Sequence, residues 1–309
     1  MTPHGTGSRS TSPSLLCIPL AGLLALGLGA CADTATSHPP TPTPAHTPVA
    51  QYRTSQGPSG ADDHVPDFAT RSFAPFNRQD AIAIALREWR LFGQPVDDDD
   101  PELRPEPSST AVKPERLPGL WERVGEYWWI GQDPYESEVD WTGKHDSNGQ
   151  PFDFTHDAHY AWSAAFISYV MRVSGAGDRF PYAPNHSTYI NAAASGSSTG
   201  LRAQDPATYA PGPGDLICAG RSTSRSVRYA NLPTAYAFPA HCGIVVAKGP
   251  QQISIIGGNV DDAVTLTHVP VSPTGTISGP DGNSLDSRYP WCVVLQVLYD
   301  ADADPAQND

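Results

Sequence analysis

A hydroxyl, an imidazole and a carboxamide stand where together they could perform acyl transfer. Ser163 lies in the run His159-Tyr160-Ala161-Trp162-Ser163-Ala164-Ala165-Phe166-Ile167-Ser168, near the start of a helix, where backbone N–H groups favour developing negative charge. His241 heads the strand-type run His241-Cys242-Gly243-Ile244-Val245-Val246, and Asn259 ends Ile256-Gly257-Gly258-Asn259. A nucleophile on a helix, a base on a strand and an orienting amide on the next strand form a layout that cleaves amides or esters. Serine at such a position also serves simply to cap or pack a helix start. A catalytically silent module that binds through the same cleft therefore stands beside the enzyme reading.

Other candidates are weaker. His156 and His159 lie three apart and His186 can approach the same cleft, but no His-Glu-x-x-His pattern accompanies them, so no metal is assigned. His159, one turn before Ser163, and His186 are site-adjacent, as is Trp162. Gly196-Ser197-Ser198-Thr199-Gly200 matches the string of a nucleophile elbow. That device requires a strand turning into a helix, whereas this segment follows a helical one. Cys242 adjoins His241, but successive strand residues face opposite ways, which turns Cys242 from the cleft into the core. Asp215, after Pro213-Gly214, is expected to fix a turn.

The elements that must position these groups are legible from periodicity and caps. Asn77 opens a helix that Gly93 closes, Leu120–Ile130 forms a second helix loaded with aromatics, and His159–Ser174 a third. Pro184-Asn185-His186-Ser187 starts a short fourth through Ala194. Strand-type runs follow at Asp215–Ala219, His241–Lys248, Gln252–Ile256, Ala263–Val269 and Trp291–Tyr299. Helices first and an antiparallel sheet afterwards define an α+β class.

Over roughly 150–300 the chain resembles the bacterial family catalogued as domain of unknown function 2272, related to the CHAP and NlpC-type cell-wall hydrolases. The carriers are Trp162-Ser163-Ala164-Ala165-Phe166, Pro184-Asn185-His186-Ser187-Thr188-Tyr189-Ile190, Pro213-Gly214-Asp215-Leu216-Ile217, Ala240-His241-Cys242-Gly243-Ile244-Val245 and Gly257-Gly258-Asn259. The resemblance implies a papain-like fold, with helices packed on the sheet, and a peptidoglycan or cell-wall peptide substrate. In the CHAP-like relatives the position of Ser163 holds the nucleophilic cysteine. A hydroxyl there loses the easily ionised thiol and needs a well-placed base and an oxyanion hole. The expected mechanism is a Ser163, His241, Asn259 triad without a cofactor.

The ends and the composition set the compartment. An apolar run from Leu15 to Leu28, too short to span a bilayer comfortably, ends in Leu28-Gly29-Ala30-Cys31. That resembles a lipobox, which makes 1–30 a signal peptide and Cys31 the lipid-bearing residue. With Ala32 following, the resemblance implies an outer-membrane anchor facing the periplasm. Residues 31–69, rich in Pro, Thr and Ser, read as a disordered tether, 70–300 as one domain and 301–309 as an acidic disordered tail. The net charge of -14 argues against a nucleic-acid partner. Asp97 to Asp100 read as a solvated loop without calcium spacing. Once Cys17 leaves with the signal, Cys218, Cys242 and Cys292 remain in an oxidising compartment. Cys218 and Cys242 lie on strands that could be neighbours, and their pairing stays open.

Overall fold

Nearly every side chain of the segment Ser163–Val173 is apolar or small, and this helix is the one the rest of the fold encloses. In the computed structural model, which describes residues 75–101, 103, 113–133, 143, 150 and 161–300, every residue from Ser163 to Met171 is buried. All described residues fall within one unit, Tyr52–Asp309. The helices are α1 (Arg78–Leu91), α2 (Leu120–Gly131), α3 (Ser163–Val173) and α4 (His186–Ser195).

Local signals set their ends. The Asn77 side chain accepts from Asp80 N at 2.8 Å to open α1, and Asn185 accepts from Thr188 N at 3.1 Å to open α4. Gly196, at φ 71°, ends α4 in the left-handed region. The segment 196–200 is therefore the exit of a helix towards a strand, the reverse of a nucleophile elbow. Helix α3 begins at Ser163, later than the expected His159, and His159 lies outside the described residues.

The strands are β1 (Leu201–Gln204), β2 (Leu216–Gly220), β3 (Ala240–Lys248), β4 (Gln252–Val260), β5 (Ala263–Pro270) and β6 (Trp291–Val297). They form one antiparallel sheet in the order β1-β6-β2-β3-β4-β5. The α+β class and antiparallel sheet match the expectation. Strand β1 was absent from it, because Leu201-Arg202-Ala203-Gln204 is too short and too polar to signal a strand. Strand β4 runs beyond Ile256 to Val260, since two glycines hide its alternation.

Alternation sorts β2 between the two faces of the sheet. Leu216 and Cys218 join the core that contains α3, while Ile217 and Ala219 join a second cluster with Ile277, Trp291 and Val294. Cys218 and Cys242 face each other across β2 and β3 and form a disulfide with Cα atoms 4.1 Å apart. Cys292 is a buried free thiol pushed up to about 11 by burial.

The expected solvated run of aspartates does more than meet solvent. Val96 bridges Leu266 on the edge strand β5, and Asp98 accepts from His268 N at 2.8 Å while its other oxygen lies 2.8 Å from His268 Nδ1. A sheet edge leaves backbone groups unpaired, and this segment covers part of it.

Helix α1 is tied to α2 by a buried carboxylate. Glu88 receives Arg123 Nε at 2.6 Å, Arg123 Nη2 at 2.7 Å and the Tyr127 hydroxyl at 2.7 Å. A buried charge persists when paired and hydrogen-bonded in this way. Helix α2 then approaches α3 at Gly131, where a Cβ would meet Ala165 O at 2.5 Å and Tyr169 N at 2.7 Å. Both contacts are backbone and cannot rotate away. Gly131→Ala should therefore lower unfolding free energy by about 1–3 kcal/mol despite alanine's better helix propensity. A leftward shift of the urea unfolding midpoint checks it, and an unchanged midpoint would contradict the close approach.

Candidate functional site

Ser163 is the first residue of α3, and Trp162 before it supplies no side-chain cap. The hydroxyl does not bond the backbone as a capping serine would. Ser163 Oγ lies 2.7 Å from His186 Nε2. Helix α4 carries His186 at its first position and Tyr189 one turn later, and the Tyr189 hydroxyl contacts His186 Nδ1. A spacing of three puts both on one helix face. Serine, imidazole and phenol thus form a continuous polar chain.

This chain is dry. Ser163 is 4 % exposed, His186 3 % and Tyr189 0 %. Burial holds the His186 pKa well below the ordinary imidazole range, helped by His241 and Arg221. Burial likewise pushes the Tyr189 phenol well up, which keeps it protonated. If Ser163 donates to Nε2, the Nδ1 proton of the neutral ring points at the phenol oxygen, which accepts it.

His241 is adjacent but differently placed. Its ring centroid is 5.4 Å from that of His186, with the planes at 67°. It is 5 % exposed, and its Nδ1 has no hydrogen-bond partner. Burial, then Arg221, lowers its pKa to about 3. The ring packs against strand β4 at Gly257, where a Cβ would come within 2.8 Å of Nε2. The next residue, Gly258, makes room for the start of α3, since a Cβ there would meet Phe166 Cβ at 2.5 Å and the Trp162 ring at 2.8 Å. The pair Gly257-Gly258 lets one strand pass both His241 and the start of α3.

Asn259 adopts a left-handed φ of 56°, which asparagine tolerates, beside a bulge between Gly257 and Val260. It lines a pocket together with His241, Arg221, Arg225, Asp261 and Tyr289.

These positions revise the expected triad. The partner of Ser163 Oγ is His186, which was only site-adjacent in the sequence reading, and His241 makes no hydrogen bond to it. Asn259 does not orient His241, whose Nδ1 is unpartnered. The physical reason is that α4 delivers an imidazole directly to the helix start, whereas His241 leaves the end of a strand towards the pocket. Tyr189 stands in the same sequence motif as His186, and the spacing of three between them is the signal that pairs the two rings. Trp162 is fully buried, stacks on Phe92, packs at a tilt against Tyr127, and donates its indole N–H to Glu115 at 2.5 Å. It is a wall of the core. His156, His159 and Cys31 lie outside the described residues.

Asp215 behaves as the turn residue it was expected to be. Its carboxylate accepts from Gly212 N and the Tyr209 hydroxyl, each at 3.0 Å, and from Val297 N at 3.2 Å. Among the described residues no helix is long and apolar enough to cross a membrane.

A model of the family described as an uncharacterized protein conserved in bacteria (DUF2272) matches residues 115–297, a span that contains all the site residues just described. No curated protein and no solved structure matches the chain.

Neutral buried histidines give stability a definite pH dependence. The unfolded chain takes up protons below the ordinary imidazole pKa while the folded chain refuses them, so stability falls as pH drops from about 6.5 towards 3. His241→Asn should flatten that fall by up to about 1.4 kcal/mol per pH unit, the worth of one proton. Urea unfolding of both proteins across this pH range measures it, and parallel curves would mean that His241 is not held neutral.

Proposed function

Since the chain belongs to this bacterial family, whose description assigns no activity, we propose that its domain is an acyl-transfer hydrolase in which Ser163 is the nucleophile and His186 the base. The observation that carries the proposal is the 2.7 Å contact of Ser163 Oγ with His186 Nε2 at the first residue of α3. A serine hydroxyl is a weak nucleophile until a neutral imidazole takes its proton. His186 is neutral for the physical reason just given, and Tyr189 holds the ring in position.

The helix start supports the second requirement. The first N–H groups of a helix lack intrahelical acceptors, and Trp162 offers no side-chain oxygen to them. When Ser163 Oγ bonds to a carbonyl carbon, the carbonyl oxygen takes the charge, and the amides of the first turn stabilise it. The proton moves to His186 Nε2 and then to the leaving amine, which breaks the C–N bond. Water repeats the sequence to free the acid. His241 is a positioning residue in this scheme, between the pocket and His186.

The papain-like architecture, the peptidoglycan substrate and the lipid anchor on Cys31 belong to the same proposal. They rest on the motif resemblance and the lipobox, and together they place a hydrolase at the bacterial envelope. A second reading, a module that binds wall material without cleaving it, is favoured by the near-complete burial of Ser163 and His186.

A serine-directed fluorophosphonate separates the two. The full chain should label, Ser163→Ala should abolish the label, and His186→Ala should slow it by about 100-fold or more. His241→Ala should slow it less. Purified sacculi incubated with the wild-type chain should release new muropeptides. A chain that sediments with sacculi yet neither labels nor alters them would establish the binding reading instead.

A further inference from the structure

The pocket beside His241 gathers polar groups that the proton path from Ser163 to Tyr189 does not use. Arg221 leaves the end of β2, where its backbone N–H donates to Pro239 O at 2.9 Å and its carbonyl accepts from Ser224 N at 2.8 Å. Gly220 before it is obligatory, because a Cβ would fall 2.0 Å from Ser224 O. The backbone around Arg221 is thus fixed while its guanidinium lines the pocket, and its charge reaches both His241 and His186. Among the described residues the Arg221 side chain makes no hydrogen bond or ion pair.

His241 is 95 % buried, lines the pocket and carries an Nδ1 without a partner. The Asn259 carboxamide, held by its left-handed backbone, also lines the pocket and bonds no described residue. The His241 Nδ1 atom has no access of its own to the pocket, so the ring serves as a wall and the polar groups open to an occupant are those of Arg221 and Asn259. Arg225 and Asp261 also line the pocket, each with partners of its own.

We propose that this pocket binds the carboxylate of a peptide, with Arg221 as its anchor, the Asn259 amide as a hydrogen-bond partner and the His241 ring as its wall. A planar carboxylate accepts the two parallel N–H bonds of a guanidinium. As a substrate subsite the pocket rests on the acyl-transfer reading above, because it fixes one end of the chain while the scissile carbonyl reaches α3. As a carboxylate site it stands on its own lining.

The test uses the full chain with Ser163→Ala, so that nothing is consumed, and three probes. These are acetyl-trialanine as the free acid, its C-terminal amide, and an amidated acetyl-Ala-Glu-Ala that carries only a side-chain carboxylate. Calorimetric titration should show the acid binding about 10-fold or more tighter than the amide, the worth of one charge-assisted contact. Arg221→Gln should bring acid and amide to parity, and Arg221→Lys should keep part of the difference. Unchanged thermal unfolding of the Arg221 variants shows that the fold is intact. The glutamyl probe separates a terminal from a side-chain source: affinity like the acid's assigns either carboxylate, and affinity like the amide's assigns the C-terminus. Acid and amide binding alike, neither binding, or discrimination surviving Arg221→Gln would overturn the proposal. Failure of Ser163 to label, with acid-selective binding retained, removes the hydrolase and leaves the carboxylate pocket.

Discussion

The complete burial of the first two turns of α3 is the constraint on which the rest depends. A helix enclosed from Ser163 to Met171 has to bring its only two serines, Ser163 and Ser168, inside with it. A buried hydroxyl without a partner costs about 1–3 kcal/mol, a cost that Ser168 bears, since its Oγ has no hydrogen-bond partner. Ser163 is spared it because helix α4 supplies His186, and His186 brings Tyr189. The enclosure is possible because neighbours give way at glycine: Gly131 on α2 and Gly258 on β4 each admit the α3 backbone or its first side chains. Packing thus dictates both where the hydroxyl sits and what it touches.

The same interior treats charge in two ways. Between α1 and α2, Arg123 and Tyr127 satisfy the Glu88 carboxylate with hydrogen bonds. That network stiffens the aromatic wall, since Tyr127 packs against both Trp162 and Phe166. Around α4 desolvation keeps the histidines neutral, with His241 and Arg221 adding to it for His186 and Arg221 for His241. One half of the core is an ion pair that holds helices together, and the other is a set of neutral rings able to accept a proton.

Much of this was legible before any coordinates. Asn77, Asn185, Gly93 and Gly196 punctuate the helices as local chemistry requires, and alternation marked the longer strands. Asp215 read as a turn residue is one. The site was read less well. In the sequence a histidine at the head of a strand resembles a catalytic base, which points to His241 as the partner of Ser163 and leaves His186 a neighbour. Periodicity says which face a residue occupies, not which of two histidines arrives first at a helix start. That depends on how α4 leans on β1 and β3, a tertiary fact. Strand β1 was missed because four residues carry too little pattern.

The two histidines differ in what holds them. His186 is fixed within one helix, three residues from Tyr189, and its geometry follows from helical spacing alone. His241, Asn259 and Arg221 stand at strand ends, where a bulge, a left-handed residue and an obligatory glycine set their directions. The inner chain is therefore the rigid part, and the outer pocket is built from connections that vary more freely without disturbing the core. A 5.4 Å ring contact joins them. The Arg221 charge lowers the pKa of both imidazoles, but burial is the larger cause for each, so the neutrality of the inner chain is set by its own packing and the pocket only adds to it.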